Sequence, residues 1–390
     1  MHCEEHFFAT YQKAPDGVSF CPYRICPIGA HIDHQYGKIT GLAIDRGVRI
    51  AYGPKHNGVV ELSSVNFPKR AQWHIASVPE NKQGDWADHL RGATIALAKR
   101  YPLHVGICGA VEGGLPIGGL SSSAAVIIAY LSALCRVNDI RLSPMEMILT
   151  AKQAENEYVG VACGKLDQSC EVFSKKDHLL YLDTLDDTYE LIPTHPAMKP
   201  YRIAIFFSGI ERSLAASGYN LRVDECRAAA YALKAFSGMA YGKHEDTRLR
   251  DVPSLVYETY QHRLPEPWRR RAEHYYGEMA RVQAGAEAWR RGDLAAYGRL
   301  CFDSGQSSIT LYEAGSDELK ALFEIMRRTD GIYGGRFSGA GFKGCCMALV
   351  DPAFAQKVEE QVTGEYLRAF PALEGKYSCH FCQSTDGVTL

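Results

Sequence analysis

Between residues 17 and 52, short apolar runs alternate with Gly and Pro, which predicts strands around a tight loop. Helical periodicity follows over Asp85 to Tyr101 and over Ser143 to Tyr158. The second of these opens with Ser143-Pro144-Met145-Glu146, a capping box with Pro in its first turn. Val111 to Ile117 reads as a strand and turn, Val126 to Cys135 as an apolar helix and Leu179 to Leu182 as a strand. A second block begins near Thr194, after a Pro-flanked stretch, with a strand at Ile203 to Phe207. Helices are predicted from Leu221 to Phe236, Pro267 to Arg291 and Asp317 to Arg328. A Gly-rich loop over Tyr333 to Gly344 leads into a strand at Cys345 to Val350; Pro352 then starts a helix, and Tyr377 to Gln383 reads as a closing strand. Strands and helices mix without regular βαβ alternation, so the expected class is α+β in two lobes, residues 1–194 and 195–390.

Composition narrows the function classes. The chain has 390 residues, 46% hydrophobic and 23% charged, as in an ordinary globular protein with a substantial core. A formal net charge of −2 offers no electrostatic reason for nucleic acid or an anionic membrane as partner. The longest apolar run, Ala124 to Cys135, is too short to span a bilayer, and no basic segment precedes an apolar core near Met1. A cytoplasmic monomer acting on small molecules is the expectation. The thirteen scattered cysteines then read as reduced thiols, and Cys379-His380-Phe381-Cys382 as two core-packed cysteines, because a second ligand pair at zinc-finger spacing is missing.

The strongest chemical signal is Gly118-Gly119-Leu120-Ser121-Ser122-Ser123-Ala124-Ala125, placed between a strand and an apolar helix. Small residues leave backbone N–H groups uncovered and a helix N-terminus adds its dipole, a combination suited to phosphate. The serine hydroxyls can ligate Mg²⁺, which prefers oxygen. Without a Gly-Lys-Ser/Thr ending this is not a Walker loop. Three other segments carry polar groups beyond packing needs. Arg24, His31, Asp33 and His34 cluster around a Pro/Gly turn, which favours a polar-ligand site. Asp167, in Cys163-Gly164-Lys165-Leu166-Asp167-Gln168, is either a general base or a structural cap. The third runs from Ser208 through Glu211, Arg212 and Ser213 to Tyr219, Asn220 and Arg222.

Taken together, these segments resemble the GHMP kinase superfamily over nearly the whole chain, and galactokinases in particular. Arg24 to His34 matches the spacing of that family's Arg-x-x-x-x-Gly-Glu-His-x-Asp-Tyr motif, and Gly119 to Ala124 matches its Gly-Leu-Ser-Ser-Ser-Ala loop. Cys163 to Gln168 matches Cys-Gly-x-x-Asp-Gln, and Gly335 to Gly344 the third, Gly-rich motif. Pro22 to Gln35 and Phe207 to Glu225 are most similar to plant-type galacturonokinases. The resemblance implies a ribosomal-protein-S5-like N-terminal lobe and a ferredoxin-like C-terminal lobe, with ATP and sugar in the cleft between them. It implies Asp167 as the base for the anomeric hydroxyl, with Arg24 beside it. It implies a triphosphate site at Gly118, Gly119, Leu120, Ser121, Ser122, Ser123 and Ala124, and Mg²⁺ on Ser123 and Glu155. His31, Asp33, Gly164 and Tyr219 would bind sugar. Trp86 would either stack on adenine or pack as a helix-terminal core residue.

One position bears on the acceptor. Where galactokinases place a glutamate that bonds the sugar 6-hydroxyl, this chain has Ala30. Galacturonate carries a carboxylate at that carbon, so alanine removes a repulsion and leaves room. His34, in place of tyrosine, is read as a donor or positive charge toward the acid. The alternatives are galactose as acceptor or a non-catalytic sugar/ATP sensor. Two departures from the family stand out. Pro116-Ile117-Gly118-Gly119-Leu120 is one residue shorter than the usual phosphate loop, and Lys165 replaces an apolar residue and is expected to point to solvent.

Overall fold

A computed structural model describes residues 2–116, 118–210 and 215–390, with side chains from 218 onward in the last stretch. Glu211, Arg212 and Ser213 of the third polar segment, and Ile117 of the first loop, lie outside the described residues. The first half runs α1 (Cys3–Tyr11), β1 (Gly17–Ile25), β2 (Lys38–Lys55), β3 (Val59–Ser64), β4 (Ala71–His74), α2 (Asp88–Ala98) and β5 (Gly106–Gly113). It continues through α3 (Ser122–Val137), α4 (Pro144–Gln153), α5 (Leu166–Phe173), β6 (His178–Asp183) and β7 (Tyr189–Pro193). Its strands form one sheet in the order β4-β3-β5-β2-β6-β7, with β1 paired to β2. The second half runs β8 (Arg202–Phe207), α6 (Ala215–Phe236), α7 (Ser254–Tyr260), α8 (Glu266–Arg290), α9 (Leu294–Thr310), α10 (Asp317–Arg328), β9 (Ile332–Phe337), β10 (Cys345–Val350), α11 (Ala355–Ala369) and β11 (Ser378–Cys382). Its sheet, β11-β8-β10-β9, is antiparallel throughout.

The predicted periodicities account for most helices. In α3, Ala125, Ile127, Ile128, Leu131 and Leu134 are buried in the first core, so the segment is apolar nearly all round. The Ser143 capping box forms: Ser143 Oγ accepts from Glu146 N at 3.3 Å, and Glu146 Oε2 accepts from Ser143 N at 2.8 Å. Such a cap is worth about 1 kcal/mol. Helix α10 buries Leu319, Leu322, Phe323, Ile325 and Met326 and ends on Arg327 and Arg328, as its 3.6-residue pattern requires.

Three boundaries shift for local reasons. Helix α2 starts at Asp88 rather than Asp85, because the Asp88 carboxylate accepts from the N–H groups of Gln83 and Gly84 and holds residues 83–87 in a turn. The predicted helix to Tyr158 widens after Gln153 into a π-helical turn, Ala154–Val159. The predicted loop over 333–344 is half strand: Gly334 belongs to β9, where a Cβ would lie 2.2 Å from the Gly298 carbonyl oxygen of α9. There glycine marks close backbone approach, not a turn.

Apolar packing does not divide where the two sheets do. Ile203, Ile205 and Phe207 of β8 enter the core around α3, while Ala204 and Phe206 enter a second core with α10 and α11. Strand β10 does the same with Cys345, Met347 and Leu349 against Cys346, Ala348 and Val350. The second core also takes Cys26, Ala30, Ile32 and Leu166 from the first half. A period-2 strand buried on both faces thus ties the halves together, and the 26–34 turn sits at their junction. All thirteen cysteines are free, Cys382 buried and Cys379 half-buried on β11. Among the described residues no helix is long and apolar enough to cross a membrane.

Candidate active site

Arg24, near the end of β1, and Asp167, in the first turn of α5, line a cavity of about 590 Å³. Nε and Nη2 of Arg24 both reach Asp167 Oδ1, at 2.8 and 2.7 Å. Arg24 Nη1 donates to the Gly119 carbonyl at 3.0 Å and to Ser338 Oγ at 3.4 Å. The arginine is 3% exposed, whereas the Asp167 side chain is 26% exposed and opens into the cavity. Burial opposes the guanidinium charge, but the Asp167 charge and hydrogen bond outweigh it and push the Arg24 pKa up.

The Gly-Ser loop makes one wall. Gly118 and Gly119 take φ of 130° and 84°, which L side chains avoid, and Ser121 enters α3 at φ 64°. A Cβ on Gly119 would lie 2.7 Å from Cys345 Sγ, so the loop backbone rests directly on residues 338–345. Gly118, Gly119, Ser121, Ser122 and Ser123 line the cavity. Leu120 and Ala124 lie behind it; the Leu120 carbonyl accepts from Arg24 N at 3.3 Å and Ala124 is fully buried. Trp86 lines the same space, its ring parallel to Phe67 at 6.0 Å and its Nε1 donating to the Lys69 carbonyl at 2.8 Å. It is half-buried, lining the cavity while also packing against the first core.

Acidic groups converge on the same cavity, one of them in contact with the Gly-Ser loop itself. Burial, then the Asp167 charge, push Glu155 up to about 7. It is 4% exposed, bonded by Gln168 Nε2 at 2.5 Å, by the Ser123 hydroxyl and by Cys163 Sγ at 3.6 Å. Asp33 rises to about 6 for the same two reasons, against a 3.3 Å bond from Leu166 N. Gly164 permits this closeness, since a Cβ there would fall 2.0 Å from Asp33 Oδ2. His31 lies at φ 65° with its ring stacked on Tyr312 at 4.4 Å, and burial pushes its pKa down, leaving a neutral imidazole. Ala30 is 6% exposed and lines the cavity with His31, Asp33, Gly164 and Tyr219.

Two readings from the sequence are corrected here. His34 is no cation facing a sugar acid. Burial pushes its pKa down to about 3, and its Nε2 and Nδ1 are occupied by the Tyr312 hydroxyl and the Gln35 amide at 3.1 and 3.0 Å, behind the cavity wall. Lys165 does not point to solvent but pairs with Asp187, its side chain only 11% exposed. The residues sequence reasoning missed are Phe67, His274, Tyr312, Ser338 and Lys343. Of these only Lys343, a charge inside a glycine loop, carried a local signal.

The relatives agree with this geometry. Residues 81–175 match the family described as GHMP kinases N terminal domain, and residues 286–369 match GHMP kinases C terminal. The chain is 38% identical to a galacturonokinase of Arabidopsis thaliana, covering 96% of this chain and 93% of that one. It is 32% identical to a galactokinase of Roseiflexus sp. (strain RS-1), over 98% and 95%. The chain belongs to the GHMP kinases. Within them it is a sugar kinase of the galactokinase and galacturonokinase type. The solved Lactococcus lactis galactokinase complexed with galactose superposes with a TM-score of 0.89, at 26% identity over 99% of this chain and 98% of that one. GHMP kinases use ATP as substrate, and this chain's cavity is lined by both a glycine loop and polar side chains.

Mg²⁺ fits the oxygen donors present. Among the described residues no three His, Cys, Asp or Glu side chains are grouped to cage a metal. Mg²⁺ needs only one or two protein oxygens beside phosphate and water, and Glu155 with Ser123 supplies a buried carboxylate and a hydroxyl in hydrogen-bond contact.

Proposed function

We propose that this kinase transfers the γ-phosphoryl group of ATP to the anomeric hydroxyl of D-galacturonate, giving galacturonate 1-phosphate and ADP. Asp167 takes the proton from the C1 hydroxyl as that oxygen forms its bond to the γ-phosphorus and the bond to the ADP oxygen breaks. Arg24 holds the carboxylate toward the sugar and keeps positive charge beside the attacking oxygen. His31, Asp33, Gly164 and Tyr219 bind the sugar. Gly118, Gly119 and the serines through Ser123 hold the triphosphate, with Leu120 and Ala124 anchoring that loop, and Trp86 stacks on adenine beside Phe67. Glu155 and Ser123 would hold Mg²⁺, which would supply positive charge to offset that on the phosphate oxygens. Phosphoryl transfer asks mainly for such positioning and charge neutralisation.

The acceptor reading rests on Ala30. A glutamate in that wall would face the C6 carboxylate at a cost of about 4 kcal/mol, for 4 Å and an effective dielectric of 20. Alanine removes the repulsion and also removes the group that would bond a neutral 6-hydroxyl. The test is ADP release from ATP with galacturonate, glucuronate and galactose in parallel. Galacturonate should have the highest kcat/KM; preference for galactose would overturn the acceptor and leave the kinase assignment standing.

A further inference from the structure

Among the described residues, the lysines and arginines that line the cavity are Arg24 and Lys343. Arg24 is bonded to Asp167, to a loop carbonyl and to Ser338. Lys343 stands in the segment 338–344, whose glycines at 339, 341 and 344 take φ of 69°, 75° and 97° and fold a tight turn. Turn formation accounts for those glycines but gives no reason for a lysine among them.

The place of that turn is specific. A Cβ on Gly344 would lie 2.5 Å from the Gly118 carbonyl carbon, and one on Gly339 would lie 2.9 Å from Gly119 Cα. The two glycine loops are thus in backbone contact, and Lys343 springs from the end of the cavity where the Gly118–Ser123 loop is exposed. The 29–31 turn, by contrast, is backed by His274, whose ring bonds the Ala30 carbonyl at 3.1 Å. A phosphate held only by backbone N–H groups meets partial charges. An ammonium on a flexible stem brings a full one, and lysine is a common point-charge partner of phosphate.

Resting on the reading of the Gly118–Ser123 loop as the triphosphate site, we propose that the Lys343 ammonium contacts the γ-phosphoryl group of bound ATP, so that the second loop supplies charge the first lacks. The test is calorimetric titration of wild type, Lys343→Ala and Lys343→Arg with β,γ-imido-ATP, with ADP and with galacturonate, in Mg²⁺ buffer. Lys343→Ala should weaken β,γ-imido-ATP about 10- to 100-fold, as for loss of a charged hydrogen bond, while ADP changes less than threefold and galacturonate less than twofold. Lys343→Arg should recover most of that loss. Unaltered β,γ-imido-ATP affinity in the alanine variant would overturn the proposal, as would an equal loss for ADP or a loss confined to galacturonate. If the alanine variant binds none of the three, the arginine variant decides: restored β,γ-imido-ATP binding supports the contact and a failure to restore it overturns it. The nucleotide titrations contain no sugar, so their outcome is independent of whether the acceptor proves to be galacturonate or galactose.

Discussion

At one end of the cavity the wall is backbone: Gly118 and Gly119 lie against residues 338–345, and the residues that matter are small. At the other end the wall is side chains, His31 and Asp33 on a turn held from far along the chain and Tyr219 on α6. There Gly29 N donates to Glu278 Oε1 at 2.7 Å, and Glu278 is fully buried with Arg281 and Arg336 near it. Burial works against the Glu278 charge, but Arg281, His274 and Arg336 hold its pKa down at about 2. A backbone wall recognises what every nucleotide shares, whereas a side-chain wall set by distant partners can be retuned for one sugar. On this view catalysis sits between the two walls, at Arg24 and Asp167, and acceptor choice sits in the second.

The comparison breaks first at its centre. Asp167→Asn should lower kcat about 10²- to 10⁴-fold, the usual worth of a positioned base, while the affinity for β,γ-imido-ATP stays within a few-fold of wild type. It should also cost roughly 3 kcal/mol in urea unfolding, because Arg24 keeps its charge in a buried place without a carboxylate partner. A variant that binds nucleotide normally and still turns over at the wild-type rate would remove Asp167 from the chemistry.

A smaller effect separates folding from function on the metal side. Glu155 has an ordinary pKa of 4.5 and a folded one of about 7. Ionising it therefore costs the fold stability: nothing below about pH 4.5, more as pH rises, and the full amount above 7. Glu155→Gln should stabilise the ligand-free protein by up to about 3 kcal/mol at pH 8 and leave it unchanged near pH 4, while activity falls at every pH. Equal stability of the two proteins at pH 8 would contradict the strained carboxylate.

The glycine-loop wall was legible in the sequence because its chemistry is local. Consecutive Gly and Ser before an apolar run announce exposed N–H groups at a helix N-terminus, and the capping box and the α10 stripe were equally local. The side-chain wall was only partly legible. Arg24, His31, Asp33 and His34 could be named as a cluster, with Asp167 joined to it through the family resemblance, but Tyr312 and His274 are lone aromatics with no local pattern, and they decide that His31 is stacked, that the Ala30 carbonyl is bonded and that His34 is occupied. Lys165 was misjudged because Asp187, its partner, is 22 residues away on another turn. Helix α9 escaped notice because Gly298, Gly305 and its serines mask the helical pattern. Gly298 is needed where α9 touches the backbone of β9, and Gly305 where it meets Phe323.

The most direct test of acceptor choice is a pair of substitutions of one size and different charge, Ala30→Glu and Ala30→Gln, with kcat/KM measured for galacturonate and galactose in each. The account predicts that glutamate suppresses galacturonate turnover about 10²-fold beyond glutamine, somewhat less than the full 4 kcal/mol of unscreened repulsion, and raises galactose relative to galacturonate. Equal losses in the two variants would mean that residue 30 acts through its size, and that its lack of charge has no part in choosing the sugar.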